Sequence, residues 1–203
     1  MDVSTVAIAV FEGVEELDAI GPYETFSVAG DSGGDLDVSL RTLEPTDRVT
    51  CAHGLRIEPD GELSGGADLI VVPGGGWTSG EGGVRTVVEN GRLPAALADW
   101  SEAGREDRMI ASVCTGAMVL AEAGVLDCRP ATTHASALSD LRETGAEVVD
   151  ARIVDDGDLL TAGGVTAGID LALHLVARIC GDDVARATAT TLEHDRPSDV
   201  YRS

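Results

Sequence analysis

Lysine is absent from this sequence. All 14 basic residues among its 203 are arginines, and 36 aspartates and glutamates face them, for a formal net charge of -22. A surface so short of positive charge repels phosphate, which excludes nucleic acid and anionic membrane as partners. The acidic residues are spread along the chain rather than gathered in a tail, and 43% of the residues are hydrophobic. The charge therefore does not mark a disordered segment. Two readings of it stand: adaptation to a high-salt cytoplasm, where screening removes self-repulsion, and an ordinary acidic protein.

Long apolar runs are missing too, so no segment is expected to span a bilayer. The first apolar run, Val3–Phe11, has no basic region before it and leads straight into acidic residues, unlike a secretory signal. A cytoplasmic protein is expected. The four cysteines, Cys51, Cys114, Cys128 and Cys180, show no C-x-x-C spacing and no metal-ligand pattern. In a reducing compartment they read as free thiols. No repeat, low-complexity stretch or linker divides the chain. One domain over residues 1–193 is expected, followed by a polar, mobile tail at 194–203.

What is present is an alternation of short β-branched runs with helical segments, the pattern of a largely parallel sheet covered by helices. Strands are expected at Thr5–Phe11, Leu36–Leu43, Asp68–Val72, Met109–Val113 and Ala131–His134, with an irregular hairpin at Cys51–Pro59. A second hairpin joins Glu147–Val154 to Asp158–Thr161. Helices are expected at Gly21–Ala29, with Pro22 in its first turn and Gly30 as its stop, and at Leu93–Ala103, with Gly104 past its end. A helix after Cys114 runs to Ala123, where Gly124 breaks it; others follow at Ser136–Thr144, Thr166–Cys180 and Asp183–Leu192.

Cys114 sits between the apolar run Met109–Val113 and a helical pattern, with small Gly116 and Ala117 behind it. A residue on that bend lies at the carboxyl edge of the sheet, where open α/β folds bind ligands, and resembles a nucleophile elbow. A helix N-terminus there lowers a thiol pKa. The competing reading is a buried, inert thiol. The glycines Gly74–Gly76 after Val72-Pro73 could offer N–H groups to developing negative charge, or could simply turn the chain. Asp18, between Leu17 and Ala19-Ile20, is placed to be a desolvated proton donor, whereas its acidic neighbours read as solvated surface. His134 ends a predicted strand near the same edge, and structural and catalytic roles both stand for it. His174 lies in an apolar helical run and reads as core. His53, His194 and the other three cysteines have no supporting constellation.

Together these segments resemble the ThiJ/PfpI superfamily, which is class I glutamine amidotransferase-like. The resemblance is carried by Glu15-Glu16-Leu17-Asp18, Val72-Pro73-Gly74-Gly75, Ser112-Val113-Cys114-Thr115-Gly116, Ala131-Thr132-Thr133-His134 and Gly163–Asp170, in family order. It implies a flavodoxin-like three-layer α/β sandwich and a homodimer acting on a small molecule, without metal or other cofactor. Within the superfamily the chain is most similar to isocyanide hydratases and to the amidase-like domains of AraC-type regulators. That similarity implies Cys114 as nucleophile, Asp18 as its acid and Thr115 beside it, and the candidate backbone donors around them are Gly74, Gly75 and Thr115. His134 would be an accessory residue. Thr115 stands where protease-like members carry histidine, which argues against a peptidase. A regulator would need a DNA-binding helix-turn-helix, which the charge opposes. Two alternatives to isocyanide hydration remain: a glyoxalase or deglycase, kept open by His134, and a non-catalytic sensor in which Cys114 is oxidised.

Overall fold

The computed structural model describes residues 3–63, 66–78, 82–103, 108–195 and 200–203. Its core is set by strands apolar on both faces, the composition that a parallel sheet covered by helices requires. β1 (Thr5–Ala9) leads into α1 (Glu16–Asp31) and β2 (Asp37–Thr42). Short β3 (Val49–Thr50) and β4 (Arg56–Ile57) form the expected irregular hairpin, and β5 (Gly61–Glu62) follows. β6 (Leu69–Val72) precedes α2 (Gly83–Asn90) and α3 (Arg92–Glu102); β7 (Met109–Val113) precedes α4 (Gly116–Glu122). β8 (Pro130–Ala131), a 3-10 turn at Ala135–Ala137, α5 (Leu138–Leu141) and β9 (Glu147–Val148) lead to the hairpin β10 (Ile153–Asp156) and β11 (Leu159–Ala162). Helices α6 (Ala167–Cys180) and α7 (Asp182–Thr191) and a last strand, β12 (Val200–Arg202), complete the chain.

Eight strands form one sheet in the order β12-β10-β11-β7-β6-β1-β2-β5. From β11 to β5 every pairing is parallel, and only β10 and β12 run the other way. Alternate side chains of each central strand enter different layers. Val6, Ile8, Leu69, Val71, Met109 and Ala111 join Phe26 of α1 and Leu171 and Leu175 of α6 in one core. Ala7, Ile70, Val72 and Ile110 join Val84, Leu97 and Leu120 of α2, α3 and α4 in the other. This is the flavodoxin-like three-layer arrangement. Among the described residues no helix is long and apolar enough to cross a membrane.

Several boundaries differ from the expected ones. α1 starts five residues before Gly21, so Pro22 lies inside it rather than in its first turn. The missing Pro22 N–H frees the carbonyl of Asp18 from the helical ladder. The Pro22 ring instead closes on α6, where a Cβ on Gly168 would lie 3.3 Å from Pro22 Cγ. Gly30 does not stop the helix, which ends at Asp31. Helix α2 was not anticipated, because only Val84 and Val87 mark its buried seam. Residues 131–134 supply only the end of two-residue β8, paired with β9, and then run out toward the sheet edge. The helix expected at Ser136–Thr144 is a 3-10 turn and a single α-turn. Gly104 lies outside the described residues. The polar tail contributes β12, which pairs with β10 at the edge of the sheet.

Candidate functional site

Strand order reverses beside β1: β2 lies on one side of it and β6 on the other. At the carboxyl end of such a switch point the loops diverge and leave room for a ligand. Asp18 comes from the segment after β1, Gly74 from the loop after β6, and Cys114 from the turn after β7.

Cys114 has φ 56, the left-handed region that a side chain adopts only when its surroundings compel it. Its N–H donates to the carbonyls of Ala162 (3.1 Å) and Gly163 (2.9 Å), and its carbonyl accepts the Thr133 hydroxyl at 2.8 Å. The chain can pass here only because residue 116 is glycine, since a Cβ there would collide with the Val72 carbonyl oxygen. The elbow is thus fixed from β6, β11 and the segment after β8.

Asp18 is fully buried. Its Oδ2 accepts the Gly74 N–H (3.1 Å) and its Oδ1 the Val165 N–H (3.0 Å). The Cys114 thiol faces the same carboxyl, and each group shifts the pKa of the other. Burial pushes the Asp18 pKa up to about 7 against the lowering effect of these hydrogen bonds, and the charge of Glu15 adds to the rise. Burial also pushes the Cys114 thiol up to about 12, with the negative charge of Asp18 as second cause. The Thr115 N–H and hydroxyl favour the thiolate and are outweighed.

Burial thus opposes the thiolate that a helix terminus would favour. The two groups behave as one coupled site, which between roughly neutral and strongly alkaline pH holds a single proton.

The expected backbone donors are also placed differently. The Gly74 N–H is committed to Asp18, and the Gly75 N–H donates to Thr115 Oγ1 at 3.1 Å. Both serve to build the site rather than standing open to a ligand. Gly74 has to be glycine, because a Cβ would lie 2.6 Å from Thr115 N and 2.9 Å from Asp18 Oδ2. His134 is half-buried, and its ring lies against Gly164, whose chain neighbours are Gly163, with the carbonyl that binds Cys114, and Val165, with the N–H that binds Asp18.

The roles of Val165, which has φ 53, and of the Thr133 hydroxyl were missed in the sequence, where only the Gly163-Gly164 pair hinted at a close approach. His174 is buried and bonded to Asp155 at 2.7 Å, away from this site. His53 pairs with Glu16 (2.9 Å) and His194 with Asp170 (2.7 Å). Cys51 is buried, Cys128 exposed and Cys180 half-buried; all are free thiols.

A family model described as the DJ-1/PfpI family matches residues 4–178. Isonitrile hydratase of Pseudomonas putida is 36% identical over 193 residues, covering 93% of this chain and 78% of that protein. Protein dj-1beta of Drosophila melanogaster is 27% identical over 184 residues, 89% of this chain and 91% of that one. The crystal structure of a ThiJ/PfpI family protein from Pseudomonas syringae superposes with a TM-score of 0.84 at 28% identity, covering 97% of this chain and 77% of that one.

Proposed function

The chain belongs to the DJ-1/PfpI family, and from that premise we propose that it is a cysteine-dependent hydratase converting isocyanides to N-substituted formamides at Cys114. The observation that carries this reading is a buried carboxyl with a pKa near neutrality set beside a thiol on a strained elbow. Similarity to an isonitrile hydratase over nearly the whole chain supports the choice of substrate.

The reaction suits a pair that shares one proton. An isocyanide accepts both a proton and a nucleophile at its terminal carbon. As the sulfur attacks, the S–H bond breaks and Asp18 carries the proton to that carbon. S–C and C–H bonds form, and the C≡N triple bond becomes the C=N double bond of a thioimidate. Water then adds across C=N, placing oxygen on carbon and hydrogen on nitrogen. Collapse of the adduct breaks the C–S bond, returns a proton to sulfur and releases the formamide. No free thiolate has to persist, so a thiol held protonated up to about 12 is compatible with turnover.

The reading has the enzyme working as a homodimer in a salt-rich cytoplasm, without metal or cofactor. The family resemblance supports the dimer, and the formal charge of -22 supports the salt. The test is a substrate panel in high salt, an alkyl isocyanide and methylglyoxal, given to the wild type and to Cys114→Ala. Formamide from the wild type alone is the expected result. No formamide, or an equal rate from the variant, overturns the proposal; lactate from methylglyoxal in its place would favour the glyoxalase alternative.

A further inference from the structure

His134 caps the 3-10 turn at Ala135–Ala137, and the way it does so fixes the state of its ring. Nδ1 accepts the Ser136 backbone N–H at 3.2 Å and lies 2.8 Å from Ser136 Oγ. A backbone N–H can only donate, so Nδ1 must present a lone pair, and the proton of the neutral ring sits on Nε2. The opposite edge of the ring lies against Gly164. A Cβ on that residue would collide with His134 Cδ2 and lie 3.1 Å from Nε2. Gly164 is therefore the slot that admits the ring. Its neighbours hold the Cys114 N–H through the Gly163 carbonyl and the Asp18 carboxyl through the Val165 N–H. The Thr133 hydroxyl binds the Cys114 carbonyl from the residue just before the histidine.

We propose that Ser136 and Gly164 are positioning residues that hold His134 as a neutral Nε2–H donor beside the Cys114–Asp18 pair. There it hydrogen-bonds the substrate nitrogen. The nitrogen clause rests on the isocyanide reading: the imine nitrogen of a thioimidate is an acceptor that gains basicity as water adds. His134 then acts as a donor rather than as a base toward Cys114, because its only lone pair is occupied by Ser136.

Two experiments test this, and the first needs no substrate. Long-range proton–nitrogen correlation spectra of the 15N-labelled wild type, recorded on the neutral ring, should show the bare-nitrogen shift at Nδ1 and the protonated shift at Nε2. Ser136→Ala, which keeps the backbone N–H, should retain the bare Nδ1 with its shift altered only by loss of the hydroxyl's hydrogen bond, and Ser136→Thr should restore the wild-type shift. A bare Nε2 in the wild type, or a protonated Nδ1 in Ser136→Ala, overturns the assignment.

The second experiment is kinetic. Ser136→Ala should lower kcat for isocyanide about three- to tenfold with KM nearly unchanged, the scale of one hydrogen bond, and Ser136→Thr should recover it. His134→Gln, which keeps a donor at a similar reach, should retain more kcat than His134→Ala. Equal kcat in His134→Ala and wild type overturns the donor role. A wild type that shows the predicted tautomer but hydrates no isocyanide sinks the substrate reading and leaves the tautomer assignment standing.

Discussion

Asp18→Asn should cost the protein its activity and make it more stable at alkaline pH. Asp18 is raised from its ordinary 3.8 to about 7, chiefly by burial. That displacement corresponds to about 4 kcal/mol against the ionised form. The sign follows from linkage. The folded chain binds this proton more tightly than the unfolded chain, so the penalty is absent below about 3.8 and complete above about 7. Asparagine carries no charge and escapes it.

The substitution has its own cost: the carboxylate accepts N–H groups on both oxygens, and an amide can accept on only one. The lost hydrogen bond costs about 1–3 kcal/mol at every pH. The clean quantity is therefore the change with pH, in which that fixed cost cancels. Between pH 5 and pH 8 the stability of Asp18→Asn should rise relative to wild type by about 2–3 kcal/mol. The assay is urea unfolding of both proteins at constant high salt, with midpoints converted through a common slope. A difference that stays flat across this range, or that moves in favour of the wild type, would refute the placement of Asp18 as a desolvated acid.

The remaining expectations are shorter. Activity should rise with pH through about 7 and then level off, since the reacting state is the pair with one proton; a rate independent of pH from 6 to 8 would contradict this. Gly116→Ala should give little folded protein, because the added methyl collides with the Val72 carbonyl oxygen at a point where neither backbone can retreat; the measure is soluble yield and circular dichroism. Melting temperature should climb steeply between low and molar salt if the charge of -22 reflects life in brine, and an unchanged value would leave an ordinary acidic protein.

Much of the framework could be read from particular residues. Leu69–Val72 and Met109–Val113 announce themselves as strands because both of their faces are buried, and every position but Ser112 is therefore apolar. Cys114 stood out because a buried strand ends at its door and Gly116 and Ala117 follow it. Asp18 stood out as a carboxyl among apolar neighbours. What could not be read depends on contacts distant in sequence. The start of α1 was hidden because Pro22 resembles a helix opening, and only its packing against Gly168 explains its interior position. The protonation of Cys114 is set by burial and by a carboxylate 96 positions earlier (114 - 18), which no local pattern encodes. The commitments of the Gly74 and Gly75 N–H groups likewise exist only once three loops have met.

The most direct test is to mix wild-type protein with an excess of alkyl isocyanide, quench with acid within the first turnovers, and map the cysteine-bearing peptides by mass. A covalent increment equal to one isocyanide on the Cys114 peptide, formed before free formamide and missing from Cys114→Ala, is the result predicted here. Formamide released with no such adduct, or an adduct confined to Cys51, Cys128 or Cys180, would contradict it.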